Sequence, residues 1–427
     1  MHILLVGGGG REHALAWKIA QSPLLTRLTC APGNPGMAAL GSSVEMAPTL
    51  GPADVPAFAK AEGVDLVVVG PEAPLADGLA DQLAELSIPC FGPNAAGAQL
   101  ETSKAFTKDL CAEHDIPTAA YGRFDDADTA KAFLRTMKAP YVIKADGIAA
   151  GKGVVIVKTL EAADAAVDEM LAGQFGDASA TIVIEEFLTG TEASVFAITD
   201  GQTLLHCGDA QDHKRAFDGD KGPNTGGMGC FSPSPLFTDD LKDATYERII
   251  APTLKALQEK GITYRGVLYA GLMLTNEGPK LIEYNARFGD PECQILMRRL
   301  KSDLVPALLA AATGRLEEVN LDWSAQAAAN IVYATKGYPG AYDKGSEIKN
   351  LDRAEAQEAT VVFHAGTKTD GTRVEEGRLL ANGGRVLNVT ALGADLSEAL
   401  DKAYAGIAEI DWPEGFYRTD IGKRYRG

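Results

Sequence analysis

The first hundred residues alternate short apolar runs, turn-forming stretches and helical patterns, and this rhythm limits the possible folds more than any other feature. Residues 3–6 (Ile-Leu-Leu-Val) enter Gly7-Gly8-Gly9-Gly10, and a helical pattern follows through Ala14, Leu15, Trp17 and Ile19. A weaker strand at 28–30 ends in Ala31-Pro32-Gly33-Asn34-Pro35-Gly36. Residues 66–69 (Leu-Val-Val-Val) run into Gly70-Pro71-Glu72-Ala73-Pro74 and a helix over 75–86. Alternation of this kind predicts a doubly wound parallel sheet that takes ligands at the carboxyl ends of its strands. It does not predict a dinucleotide. In the G-x-G-x-x-G frame that starts at Gly7 the third glycine position is Glu12, and in the frame that starts at Gly8 it is His13. No acid ends the second strand to hold a ribose hydroxyl. The amides at the helix start are still expected to hold a phosphate.

At 427 residues the chain exceeds one compact core and predicts roughly two to four domains. With 58 acidic against 40 basic residues its net charge is −18, a surface that repels nucleic acid and anionic membranes. Any phosphate it binds must therefore meet a local basic pocket. Cys30, Cys90, Cys111, Cys207, Cys230 and Cys293 form no C-x-x-C pair and no zinc spacing, so reduced thiols and a cytoplasmic location are expected. The amino terminus lacks the basic region of a signal peptide, and no apolar stretch is long enough to span a bilayer.

From about Lys104 the pattern changes. Residues 141–147 and 154–157 read as strands joined by Ile148-Ala149-Ala150-Gly151-Lys152-Gly153. Gly147 to Lys152 is one residue short of a P-loop, Gly153 stands in its Ser/Thr position, and a β-branched run follows rather than a helix. The expectation is a mobile hairpin that closes over phosphates with Lys152 and its amides. Residues 181–184 lead to Glu185-Glu186-Phe187-Leu188 and then Glu192. A long polar loop runs from Gln211-Asp212-His213-Lys214-Arg215 to Asn224-Thr225-Gly226-Gly227-Met228-Gly229. Residues 279–282 enter Glu283-Tyr284-Asn285-Ala286-Arg287-Phe288-Gly289-Asp290-Pro291-Glu292. On a strand Glu283 and Asn285 share a face, so a carboxylate and a carboxamide converge as hard oxygen ligands for Mg²⁺, with Arg287 following. After about residue 321 come Lys336-Gly337-Tyr338-Pro339-Gly340, a hairpin signal at Asn382-Gly383-Gly384 and a helical pattern over 396–407, which together read as a small α+β unit.

The ordered set of motifs closely resembles the phosphoribosylamine–glycine ligases (glycinamide ribonucleotide synthetases), ATP-grasp enzymes of purine synthesis. The blocks that carry the resemblance include Gly9-Gly10-Arg11-Glu12-His13-Ala14-Leu15-Ala16-Trp17, Val69-Gly70-Pro71-Glu72-Ala73-Pro74-Leu75 and Ser103-Lys104-Ala105-Phe106-Thr107-Lys108. Ile143-Lys144-Ala145-Asp146-Gly147, Ile184-Glu185-Glu186-Phe187-Leu188, the 211–229 loop, Arg287-Phe288-Gly289-Asp290-Pro291-Glu292, Phe363-His364-Ala365-Gly366-Thr367 and Asn382-Gly383-Gly384-Arg385-Val386-Leu387 continue it over nearly the whole chain. Departures are Gly8 in place of an asparagine, Ala286 in place of a frequent cysteine, Lys336 where a small residue is usual, and the absence of an acid in residues 267–274.

The resemblance implies an N-terminal Rossmann-like substrate domain at 1–103, an ATP-grasp domain at 104–322 with a flap subdomain at 118–190, and a C-terminal α+β domain at 323–427. It implies ligation of glycine to 5-phosphoribosylamine with cleavage of ATP to ADP and phosphate. The carboxylate is first phosphorylated to glycyl phosphate, and the amine then displaces phosphate. Lys104, Lys144 and the Gly151, Lys152 and Gly153 flap would hold phosphates; Glu185, Glu186, Phe187 and Leu188 would bind adenine, and Glu192 the ribose. Glu283 and Asn285 would bind Mg²⁺ or Mn²⁺. Arg287, Asp212, Lys214 and Asn285 would be catalytic. Gly9, Gly10, Arg11, Glu12, His13, Pro71, Glu72, Asn224, Thr225, Gly226, Gly227, Met228 and Asp290 would line the glycine and phosphoribosylamine side. A monomer or weak homodimer is expected, with no nucleic-acid or membrane partner. The alternatives are another ATP-grasp carboxylate–amine ligase, a nucleotide sensor and, against the broken fingerprint, a nicotinamide dehydrogenase.

Overall fold

The structure is a computed structural model that describes residues 1–147, 153–371 and 377–426. Its N-terminal part is a five-stranded sheet in the order Val44–Met46, Arg27–Pro32, His2–Gly7, Leu66–Val69, Cys90–Phe91. All neighbours in it are parallel. The apolar runs at 3–6 and 66–69 are its two central strands. Period-2 alternation divides the first of them between two cores, Ile3 and Leu5 facing one way and Leu4 and Val6 the other. Each fully buried leucine contributes roughly 1.5–3 kcal/mol. The single helix expected over 75–86 is two helices, Glu72–Ala76 and Leu79–Glu85. The break falls at Gly78, whose φ of +78° lies in the left-handed region that glycine enters without strain.

A separate four-stranded antiparallel sheet has the order Tyr121–Phe124, Ile182–Glu186, Tyr141–Ala145, Val154–Val157. The hairpin read from sequence is therefore present as paired strands, while its tip, including Gly151 and Lys152, lies outside the described residues. Helices Ala127–Leu134 and Leu160–Leu171 share a core with this sheet. Each starts on a short polar side chain: Asp126 accepts the Thr129 amide and Thr159 the Ala162 amide.

The third layer is a nine-stranded sheet. Eight strands run from Gly278–Asn285 through Gly266–Thr275, Thr191–Thr199, Leu204–Asp212, Gly229–Ser232, Ala327–Thr335 and Arg385–Gly393 to Thr360–His364, and the ninth, Gly415–Phe416, pairs with the end of Ala327–Thr335. The α+β segment after residue 321 is thus built onto the central sheet, with helix Leu396–Ala408 packed against its last strands. Asn382-Gly383-Gly384 is not the turn of a hairpin. Leu379–Ala381 pairs with Glu347–Ile348 and Thr367–Thr369, whereas Arg385–Gly393 pairs with Ala327–Thr335 and Thr360–His364. The glycines serve a close backbone approach: the Asn382 amide donates to Gly366 O at 2.7 Å, and a Cβ on Gly366 would lie 2.6 Å from Gly383 Cα. All six cysteines are free and buried, and no helix among the described residues is long and apolar enough to cross a membrane.

Candidate active site

A cavity of about 690 Å³ opens where the three sheets meet. One end is cationic. Lys104 sits in the first turn of helix Lys104–Glu113, whose N-cap Ser103 accepts the Phe106 amide at 3.0 Å. The Asp146 carboxylate accepts the Ala105 amide at 2.6 Å and so ties this helix to the base of the hairpin. Burial lowers the Lys104 ammonium from its ordinary range, against the raising effect of Glu283. Lys144 points from the strand Tyr141–Ala145 and is buried. Its Nζ lies 3.0 Å from Glu185 Oε2, and Lys108 Nζ lies 3.2 Å from the same oxygen. Glu185 thus shares its Oε2 between two lysines, while its Oε1 is buried without a hydrogen-bond partner among the described residues. The Glu186 carboxylate accepts the Ala120 amide at 3.0 Å. Phe187 and Leu188 follow the end of that strand and line the cavity with Glu192 and Gly153.

The middle of the cavity carries the Glu283–Arg287 face. Glu283 is paired across the sheet with Gly271 and Asn285 with Tyr269, with a register shift just before them. Both side chains line the cavity, as the period-2 reading requires. Among the described residues Glu283 has one loose ion pair, to Lys214 at 3.9 Å, and the Asn285 carboxamide makes no hydrogen bond. Burial pushes the Glu283 carboxyl up, but Lys214, Lys144, Lys104 and Arg287 outweigh it and hold the group below its usual range. An ionised carboxylate beside an unpartnered carboxamide is a donor set that fits a hard divalent cation.

Beyond Asn285, the Arg287 guanidinium is gripped by Glu101 at 2.8 Å and Glu72 at 3.4 Å. Glu101, on helix Ala95–Thr102, also accepts the Ala286 amide at 2.7 Å. Asp212 and Lys214 line the same space. Burial pushes the Asp212 carboxyl up to about 8, with Lys214 opposing and Glu292 adding to the rise. Glu292 opens helix Glu292–Arg299 and accepts the Tyr269 hydroxyl at 2.9 Å; that hydroxyl also lies 3.0 Å from Ser194 Oγ.

Of the N-terminal residues expected to meet substrate, Arg11, Pro71 and Glu72 line the cavity. Gly9, Gly10, Glu12 and His13 do not. The Gly9 amide donates to Glu12 Oε2 at 2.7 Å, and a Cβ on Gly7 would come 2.5 Å from Glu12 Cγ. The Glu12 carboxylate thus caps the Gly9 amide at the start of helix Gly10–Ile19, where the phosphate was expected. A Cβ on Gly10 would lie 2.5 Å from Asn388 Nδ2, so this position serves packing. His13 is buried, its Nδ1 accepts the His364 amide at 2.8 Å, and burial holds the ring well below its ordinary value. Asn224, Thr225, Gly226 and Asp290 line the cavity, whereas Gly227 and Met228 do not. Met228 is fully buried; its amide donates to His213 O and its carbonyl accepts the Val332 amide, so neither polar group is free for substrate. Lys336 donates to Pro413 O and stays out of the cavity.

Sequence reasoning gave no role to Lys108, Glu101, Tyr269, Glu292, Tyr338 or Arg385, all of which line the cavity. Lys108, Glu292 and Arg385 lie inside the motifs that carry the family resemblance, and their charge was the signal that marked them.

Comparisons with known proteins agree with this geometry. Profiles of the phosphoribosylglycinamide synthetase N domain match residues 1–101, of its ATP-grasp (A) domain residues 102–293, and of its C domain residues 328–424. The phosphoribosylamine–glycine ligase of Caulobacter vibrioides is 60% identical over 423 residues, covering 99% of this chain and 98% of that one. That of Rhizobium meliloti is 56% identical over 424 residues, with the same coverage of 99% and 98%. Among solved structures, the phosphoribosylamine–glycine ligase of Thermotoga maritima superposes with a TM-score of 0.86 at 32% identity, covering 99% of this chain and 100% of that one. The biotin carboxylase domain of a Hydrogenobacter thermophilus 2-oxoglutarate carboxylase shares the fold, with a TM-score of 0.72 at 16% identity over 97% of this chain and 91% of that one. A parallel-sheet N-terminal part, an ATP-grasp centre and a C-terminal part that completes the cavity, each matched in order, place the chain in the phosphoribosylglycinamide synthetase family.

Proposed function

We propose that this protein couples cleavage of ATP to ADP and phosphate to ligation of glycine with 5-phosphoribosylamine, giving glycinamide ribonucleotide for purine synthesis. The observation that carries the reading is one cavity that gathers Lys104, Lys108 and Lys144 with Glu283, Asn285, Arg287, Glu72 and Asp290. A glycine carboxylate oxygen attacks the γ-phosphorus and ADP leaves; the amine nitrogen then attacks the acyl carbon, phosphate leaves and the nitrogen loses a proton. Such chemistry needs alignment and fixed positive charge more than a covalent nucleophile. Lys104 and Lys144 supply that charge to the nucleotide phosphates, and Arg287, fixed by Glu72 and Glu101, supplies it to the transferred group. Glu283 and Asn285 would hold Mg²⁺ or Mn²⁺, which when bound neutralises phosphate charge. Asp212, Lys214 and the loop carrying Asn224, Thr225 and Gly226 face the substrates. The buried thiols support a cytoplasmic protein.

The test is ADP release with MgATP, glycine and phosphoribosylamine generated in place from ribose 5-phosphate and ammonia, each component omitted in turn. Release that needs all of them, with an amide product of the right mass, is the expected result. Turnover with another carboxylate would replace the substrate assignment. Tight ATP binding without turnover on any acid would replace catalysis with nucleotide sensing.

A further inference from the structure

Arg385 begins the strand Arg385–Gly393, far in sequence from every other group of the site, yet its side chain ends in the cavity. Its guanidinium bonds two separate loops at once. Nη1 donates to the main-chain oxygens of Asp290 at 2.6 Å and Gly226 at 2.7 Å, and Nη2 to the Asp290 carboxylate at 3.1 Å. One loop is the turn that follows Arg287; the other carries Asn224, Thr225 and Gly226. The neighbouring chain is shaped around this group. Gly226 has no side chain where a Cβ would lie 2.9 Å from Arg385 Cζ, and Gly227 takes a φ of +112°. On the other side the Gly226 amide donates to the Tyr338 hydroxyl at 3.3 Å, and a Cβ on Gly384 would overlap the Tyr338 ring. A planar fork can hold several fixed acceptors together, which the point charge of a lysine cannot reproduce.

We propose that Arg385 is a positioning residue that fixes the spacing between the 224–226 loop and the Arg287–Asp290 turn, and through it the affinity for the two acceptor-side substrates. The inference rests on the reading of that loop as the glycine and phosphoribosylamine side. Its contacts include none of the nucleotide-end groups, so nucleotide binding stays outside its reach.

The test uses the full chain and three variants, Arg385→Gln, Arg385→Lys and Gly226→Ala, the last of which pushes on the guanidinium while keeping it. KM for each substrate, kcat, MgADP affinity by titration calorimetry and melting temperature are measured. Arg385→Gln is expected to raise KM for glycine and phosphoribosylamine by about tenfold or more while MgADP affinity changes less than about twofold; lysine recovers part of the loss. Gly226→Ala is expected to reproduce the same split, and it carries the test alone if Arg385→Gln does not fold. Unchanged acceptor KM values would overturn the proposal. So would a parallel fall of nucleotide affinity, melting temperature and acceptor affinity, which is the signature of general structural support. The omission assay on the unaltered protein reports separately on the ligase reading. Were another carboxylate the substrate, its KM is the quantity to follow in the variants.

Discussion

Replacing Glu185 by glutamine removes the one negative charge that two buried ammonium groups share. Lys144 and Lys108 approach its Oε2 at 3.0 and 3.2 Å, and the side chains of the three residues are 6%, 2% and 4% exposed in the order Lys144, Lys108, Glu185. Removing one partner of a buried ion pair costs about 3–5 kcal/mol, because the charge left behind is neither hydrated nor paired. Lys108 can escape part of this by losing a proton. From an ordinary value near 10.4, deprotonation at pH 7.5 costs about 4 kcal/mol, which sets the ceiling. Burial already lowers the Lys108 ammonium despite Glu185, so this escape is open to it. A loss of about 3–4 kcal/mol corresponds to a fall of roughly 10 °C in the melting temperature of a part of this size. The assay is differential scanning calorimetry of the unaltered chain, Glu185→Gln, and Glu185→Gln with Lys108→Met. The second change removes one orphaned charge and is expected to return more than half of the loss. The deficit also has a sign in pH. A lysine held below its unfolded value makes stability rise with pH up to about 10, so the single variant should approach the unaltered chain as pH climbs from about 8. A single variant that melts within about 2 °C of the unaltered protein, with no pH trend, refutes the account.

Glu283→Gln keeps the shape of the cavity but weakens a hard-cation ligand, so turnover is expected to fall by about a hundredfold or more with melting unchanged; near-normal turnover at saturating Mg²⁺ would remove Glu283 from the site. Gly70→Ala puts a Cβ onto Glu12 Oε1 and is expected to destabilise the chain by about 1–3 kcal/mol, measured by urea unfolding, while Gly63→Ala, with nothing within 4 Å but a φ of +62°, shows the effect of backbone strain alone. Burial lowers His206, His213 and His364 to about 4 and His13 well below its ordinary value. The unfolded chain therefore binds protons below about 6.5 that the folded chain refuses; stability present above that pH drains as pH falls toward 4, by up to about 1.4 kcal/mol per unit for each ring. A melting temperature flat between pH 6.5 and 4.5 would contradict the neutral, buried state of these rings.

What could be read in the sequence was local and periodic. Residues 3–6 and 66–69 announced central strands because both faces are buried, and Glu283, Asn285 and the turn after them announced a face because strand spacing is two. The strands Cys90–Phe91 and Val44–Met46 are too short to show any period. Glu12 was visible as the residue that breaks the dinucleotide fingerprint. Its deeper meaning, that a carboxylate three residues past the N-cap folds back onto the cap amide, needed the geometry of the turn. Glu101 gave no signal, because a lone acid near the end of a helix says nothing about Arg287, far along the chain. Asn382-Gly383-Gly384 misled because a glycine pair that permits close backbone contact has the composition of a hairpin turn.

The nine-stranded sheet sets how the gene for such a chain can be cut. Gly229–Ser232 is held on one side by Leu204–Asp212 through two residues, Gln211 and Asp212, and on the other by Ala327–Thr335 along its full length. A chain stopped near residue 321 would leave that strand as a raw edge with its amides unpaired, an invitation to register-free pairing with a neighbouring molecule. The last hundred residues therefore act as a seam, and fragments that end before it are expected to aggregate.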